Sequence, residues 1–268
     1  MNIKVFQKSP DGIWPAAIEL FEFQFTYPLG SKLRFRISHG QDSWRFFQAM
    51  GDAVYIIAER DGQVIGALGA ALRSIIQVDG SKTPTIYIGD LKISPADRGG
   101  LIFIRLIREL REWIHGRATH VCAVVMNGTS PTPTDFSGRM GLPNFTPMHN
   151  LGLLWVHTDG KLSSSELFSF QAVSEDDGLS AYTNLSSEKQ HFSDSDTTRR
   201  SRFPAQWLVS ADRRACGRLE DTLGAKRLYT TDGEEMRSMH LSCFVYKDFN
   251  VGMALCASAM VLAHNAGY

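Results

Sequence analysis

The apolar and polar positions of this chain fall into a readable order from Lys32 onward. "KLRFRISHG" alternates with the period of two that places every second side chain on one face of a strand. "DSWRFFQAMG" has the spacing of a short helix that closes on Gly51. "AVYIIAERDGQVIGALGAALRSIIQVDG" reads as two apolar strands around an Asp61-Gly62 turn, a pair favoured in two-residue hairpins. "TPTIYIGDLKISP" is nearly continuous apolar sequence, which predicts a strand covered on both faces, and Pro95 stops it because proline has no N–H to give to the ladder.

Beyond Pro95, Leu101, Ile104, Ile107, Leu110 and Ile114 recur at helical spacing with Arg105, Arg108, Glu109, Arg111 and Glu112 opposite them, so a surface helix with one buried stripe is expected, ended by Gly116. "THVCAVVMN" is the next buried strand. A strand–helix–strand unit of this kind is most simply parallel, with a right-handed crossover. A Pro- and Thr-rich loop then leads to an expected strand in "NLGLLWVH".

Between Thr158 and Arg202 the sequence turns polar and Ser-rich, apart from "LFSFQAV", and a linker is expected there. "AQWLVSADRRACGRLEDTLGAKRLYTT" and "MHLSCFVYKD" resemble strands, and the small-residue segment from Val251 resembles a buried helix. Three segments are therefore expected: residues 1–158, a linker with the start of a second unit at 159–202, and a partial second unit at 203–268.

Composition narrows the function. A chain of 268 residues with 43% hydrophobic residues can bury a large core. Lys+Arg and Asp+Glu both number 28, so no net field recruits nucleic acid or an anionic membrane. The N-terminus has no apolar run of signal-peptide length, and the most apolar segment, Val251 to Ala263, falls short of the ~20 residues a bilayer span needs. Cys122, Cys216, Cys243 and Cys256 are far apart, with no Cys-x-x-Cys pair and no nearby His at ligand spacing. Reduced, buried thiols and a cytoplasmic protein without a metal are expected. No nucleophile elbow, Walker loop, metal-binding His pair or dinucleotide fingerprint is present, and His149, His191 and His240 are isolated.

The turn "ADRGGL" supplies the candidate chemistry. Helix N-termini expose unpaired N–H groups, and glycine lets a ligand approach the backbone, so a Gly-rich strand-to-helix turn suits a pyrophosphate. Leu91 to Leu106, "LKISPADRGGLIFIRL", resembles the signature of the GNAT superfamily of acyl-CoA-dependent N-acyltransferases, and the element order from Lys32 to Val156 is similar to that family's. The resemblance implies an α/β fold with a mixed central sheet and helices on both faces, in two tandem units of which the second is degenerate or truncated. It implies acetyl-CoA or a longer acyl-CoA as co-substrate and an amine on a small molecule or peptide as acceptor.

Carried over by position, Leu91 and Ile93 on the strand, Arg98, Gly99, Gly100, Leu101 and Ile102 in the turn, and Asn127 at the end of the parallel strand become acyl-CoA-binding candidates. Leu101 and Phe103 stand where the family's two motif glycines would be. Asp90, a carboxylate on an apolar strand, is the candidate base, its structural alternative being an ion pair to Lys92 or Arg98. Tyr87 is a second candidate. In "DFSGRMGL", Phe136 and Gly141 match the family pattern, while Ser137 occupies the place of its usual proton-donating Tyr. An unfinished second sheet would also leave an edge for another copy, so a homodimer is an open expectation.

Overall fold

A computed structural model describes residues 1–126, 132–139, 141–148, 150, 156, 170–189, 191–192 and 203–268. In chain order its elements are β1 (Asn2–Phe6), α1 (Trp14–Glu22), β2 (Tyr27–Leu29), β3 (Leu33–Ser38), α2 (Ser43–Gln48), β4 (Asp52–Arg60), β5 (Gln63–Ile76), β6 (Lys82–Ile93), α3 (Ile102–Ile114) and β7 (His120–Ala123). They continue with β8 (Phe170–Val173), α4 (Glu175–Ser186), β9 (His191–Phe192), β10 (Ala205–Ser210), β11 (Ala215–Asp221), β12 (Arg227–Thr230), β13 (Met239–Tyr246) and α5 (Phe249–Asn265). Single 3-10 turns follow β6 at Pro95–Asp97 and precede Ser137 at Pro133–Phe136.

The contacts divide the chain into two units that interleave. The first comprises 1–74, 83–150 and 225–236, the second 75–82, 151–224 and 237–268.

In the first unit a sheet runs in the order β1-β4-β5-β6-β7, antiparallel where β1, β4 and β5 pair and parallel where β6 meets β7. The Asp61-Gly62 turn has both residues at positive φ, 52° and 78°, as a type I′ hairpin requires, and Arg60 pairs with Gln63 across it. Alternate residues of β4 feed two cores. Val54, Ile56 and Ala58 face Leu106, Ile107 and Leu110 of α3, while Ala53, Tyr55 and Ile57 join Ile18 and Phe21 of α1 and Phe47 of α2. The expected helix forms, but its buried face is Ile102, Phe103, Leu106, Ile107, Leu110 and Trp113, and Leu101 is exposed. The stripe is rotated because Leu101 precedes the helix as its cap residue and aims away from the sheet.

Small residues let the layers close. A Cβ on Gly69 would overlap the Phe47 ring, and one on Gly66 would lie 2.8 Å from Ile102 Cγ2. A second, smaller sheet, β12-β3-β2, completes this unit. "KRLYTT" therefore pairs with β3, Arg227 opposite Ser38 and Thr230 opposite Phe35, rather than forming a hairpin of the second unit.

The second unit has a sheet in the order β13-β11-β10-β8, antiparallel throughout among the described residues. Helix α4 covers one face through Ala181 and Leu185 against Trp207 and Val209, and α5 covers the other through Val251, Leu255 and Ala259 against Leu208 and Leu219. The helix α4 lies in what reads as polar linker. Its signal is the Ser174 cap, whose hydroxyl accepts from the Asp177 N–H, followed by three acids in the first turn that suit the helix dipole. The expected strand "NLGLLWVH" lies almost wholly outside the described residues, as does half of 159–202.

Candidate functional site

The site is built where β6 parts from β7. Parallel pairing runs from Thr85–His120 to Ile88–Ala123 and stops there, although β6 continues to Ile93. Beyond the β7 ladder Asp90 takes φ 54°, a left-handed conformation uncommon for a non-glycine residue, so the strand is distorted at this carboxylate. Gly89 lies beneath it, closed against the Phe47 and Tyr87 rings.

Three other charged or polar groups converge on Asp90, all buried in the first unit. Glu22, the last residue of α1, accepts from the His39 backbone N–H at 2.8 Å and sits 2.7 Å from His39 Nδ1. The same Nδ1 is 3.0 Å from Asp90 Oδ2, so a single ring position faces two carboxylates. Lys92 Nζ lies 3.2 Å from Asp90 Oδ1 and 3.6 Å from Glu22 Oε1. Side-chain exposure is 0% for Glu22, 2% for His39 and 3% for Lys92 but 12% for Asp90, so the cluster opens outward through Asp90. Asp90 Oδ2 and Lys92 Nζ have charge partners yet no aligned hydrogen bond among the described residues, which leaves bonding capacity inside the cluster.

Electrostatics follow from this packing. Burial pushes the Asp90 carboxyl up, but His39 and Lys92 outweigh it and hold the group below its ordinary value. Burial likewise opposes charge on Lys92, and the two carboxylates overcome it, raising the ammonium well above its usual range. Burial, reinforced by Asp90 or Glu22, raises the phenols of Tyr55 and Tyr87, and burial raises Tyr27 too, although Lys92 partly offsets it. These phenols stay protonated.

Glu22, His39 and Asp90 have the donor set of a metal site, with ligand atoms within 4.8 Å of one another. The Lys92 ammonium already stands between two of those carboxylates, so a fixed organic cation takes the position a metal ion would need.

The sequence candidates separate into groups. Asp90, Tyr87, Leu91 and Ile93 share β6, and Asp90 is paired with Lys92, one of its two structural alternatives. Arg98, Gly99, Gly100 and Leu101 form the turn into α3, with Gly99 at φ 84°, and the Leu101 cap residue makes no side-chain hydrogen bond to the first turn of the helix. Ser137 follows a 3-10 turn, and its hydroxyl accepts the Phe145 N–H at 2.8 Å, which gives it a structural task. Asn127 and His149 lie outside the described residues.

Two members of the cluster carried no usable signal. Glu22 ends a helix in the N-terminal segment, where no element is legible, and His39 ends an alternating strand whose pattern shows only which residues point inward.

Neither protein-family models nor curated protein sequences match this chain. Solved structures do. A Saccharomyces cerevisiae N-myristoyltransferase with bound myristoyl-CoA aligns over 98% of this chain and 74% of its own at 10% identity and a TM-score of 0.57. A second structure of that enzyme with myristoyl-CoA aligns over 98% and 70%, at 12% identity and 0.57. Glucosamine-6-phosphate N-acetyltransferase from Arabidopsis thaliana aligns over 57% and 99%, at 11% identity and 0.37. The likeness is one of fold: this chain has a two-unit, GNAT-like fold, as the resemblance in Leu91–Leu106 implies.

Proposed function

We propose that the protein is an N-acyltransferase that moves an acyl group from acyl-CoA directly to an amine on a small molecule or peptide, in a ternary complex. The observation that carries this reading is the parting of β6 from β7 at Ile88–Ala123, with the Asp90 distortion beside it and the uncapped start of α3 beyond it. Beyond the end of the β7 ladder, the stretch of β6 that carries Leu91 and Ile93 offers an extended acyl-pantetheine a strand to lie along. The Arg98–Ile102 turn offers N–H groups and a guanidinium to its pyrophosphate. The solved structures aligned over nearly the whole chain include enzymes with myristoyl-CoA bound, which supports an acyl-CoA as the donor.

Asp90 then receives a proton from the acceptor's ammonium. The neutral amine attacks the thioester carbonyl, the C–N bond forms as the C–S bond breaks, and the thiolate takes a second proton from the new amide nitrogen. Lys92 and His39 keep Asp90 ionised and oriented between turnovers. With Ser137 engaged by Phe145, protonation of the thiolate falls to the nitrogen itself or to water.

A second reading, an acyl-CoA-binding module without turnover, is favoured by that same engagement of Ser137, because no acid stands at the family position. Release of free CoA in the presence of an amine panel separates the two. We expect amine-dependent release that falls about 100-fold or more in Asp90→Asn, the ordinary scale of a lost acid–base group, with acyl-CoA binding retained. Binding without any amine-dependent release would favour the module.

A further inference from the structure

The residue that follows the last β6–β7 pair is Gly89, one position before Asp90. Having no side chain, it leaves a notch on the face of β6 turned toward α2, and aromatic rings fill that notch. Phe47 Cε1 and Tyr87 Cε1 stand 3.2 Å and 3.3 Å from the place a Cβ on Gly89 would take. On the opposite face Ile88, Leu91 and Ile93 pack against the core beneath α3.

Phe47 has no room to withdraw. Its side chain is fully buried, and its ring occupies the space that a Cβ on Gly69 of β5 would need. Phe46 meets it edge-on with centroids 5.3 Å apart, and the Tyr55 and His39 rings stand at 5.9 Å and 6.3 Å. A ring seated on a strand and hemmed in by three others acts as a fixed wall, because a close-packed interior yields little.

In the proposed complex the donor runs from the Arg98–Ile102 turn along the stretch of β6 that carries Ile93 and Leu91. Its thioester then comes to Asp90, and its acyl group to Gly89, where the ladder with β7 closes. We infer that Phe47 sets the acyl length: the notch at Gly89 takes a short acyl group such as acetyl, and the Phe47 ring stands where the further carbons of a longer chain would lie. The inference rests on the acyl-CoA reading above. The rings offer a methyl group apolar contact, whereas extra methylenes in a filled site force its neighbours off their positions.

The test measures dissociation constants of CoA, acetyl-CoA, hexanoyl-CoA and myristoyl-CoA by calorimetry on the full chain, on Phe47→Leu and on Gly89→Ala. The thermal midpoint without ligand reports whether each variant folds. The native chain is expected to bind acetyl-CoA about tenfold or more tightly than either longer donor. Phe47→Leu shortens the wall while keeping an apolar side chain, and should bring hexanoyl-CoA to within about threefold of acetyl-CoA. Gly89→Ala fills the notch from the strand side and should weaken acetyl-CoA severalfold while leaving CoA unaffected; it decides alone where Phe47→Leu fails to fold. Longer donors that bind the native chain as tightly as acetyl-CoA overturn the inference and leave the acyl-CoA reading standing. So do affinities that stay unchanged in every folded variant. No binding of CoA or of any of the three donors overturns both.

Discussion

Replacing Lys92 by Met tests whether the buried cluster is held together by charge. The ammonium lies 3.2 Å from Asp90 and 3.6 Å from Glu22. At an effective dielectric of about 20, each attraction amounts to roughly 5 kcal/mol. Burying the ammonium costs several kcal/mol in return, so the pair is worth much less than the sum. The substitution differs from removing the whole cluster, because it strands two buried carboxylates without their cation. Breaking a buried pair in this way costs about 3–5 kcal/mol. At roughly 2–4 °C per kcal/mol, the midpoint of the first unit should fall by at least about 6 °C.

Scanning fluorimetry reads the midpoint, and hydrogen exchange over residues 82–93 assigns the loss to β6. Adding Glu22→Gln to Lys92→Met should recover part of it by removing one stranded charge. A second signature comes from acid. Because the folded Asp90 is held below its ordinary 3.8, its contribution is fully present above that value and is lost as pH falls through the folded pKa. In Lys92→Met that acid limb should move to higher pH. A midpoint change under about 2 °C, with no recovery in the double variant, would show that charge does not hold the cluster together.

Two further outcomes follow from packing and capping. Gly69→Ala places a methyl against Phe47, which is itself fully buried, so it should destabilise by about 1–3 kcal/mol in a denaturant titration despite improving strand propensity. Asp248 caps α5 by accepting from the Val251 N–H and is paired with Arg214, so Asp248→Ala should cost about 0.5–2 kcal/mol and expose the first turn of α5 to hydrogen exchange.

The parts of the fold written in strong periodicity were legible. The β4–β5 hairpin announces itself through Asp61-Gly62 and β6 through its long apolar run, whereas β7, expected as a buried strand, is only four residues long, has no buried residue and is followed by the exposed Val124 and Val125. Helix α3 was legible in extent, but its buried face was displaced, since Leu101 extends the apolar pattern one residue beyond the helix. Helix α4 was not, because it buries little more than Gly178, Ala181 and Leu185, and charged residues in its first turn read as linker.

Chain crossings are harder to read than elements. The residues of β12 look the same whichever sheet they join, and only the long-range ladder with β3 shows that they return to the first unit. The same physics governs the site. Asp90 was visible as a carboxylate on an apolar strand, but Glu22 and His39 reach it from α1 and the end of β3, across sequence separations that no local pattern encodes.

In the proposed complex acyl-CoA lies along the parted end of β6 with its pyrophosphate on the Arg98–Ile102 turn. Its most direct test is the thermal midpoint with and without acetyl-CoA and myristoyl-CoA, in the native chain and in Arg98→Ala, Gly100→Glu. At about 100 times the dissociation constant, a ligand stabilises by roughly 2.7 kcal/mol, a shift of several degrees. That shift is expected with at least one donor, and its loss in the variant. The absence of a shift with either donor, or an equal shift in the variant, would contradict that placement.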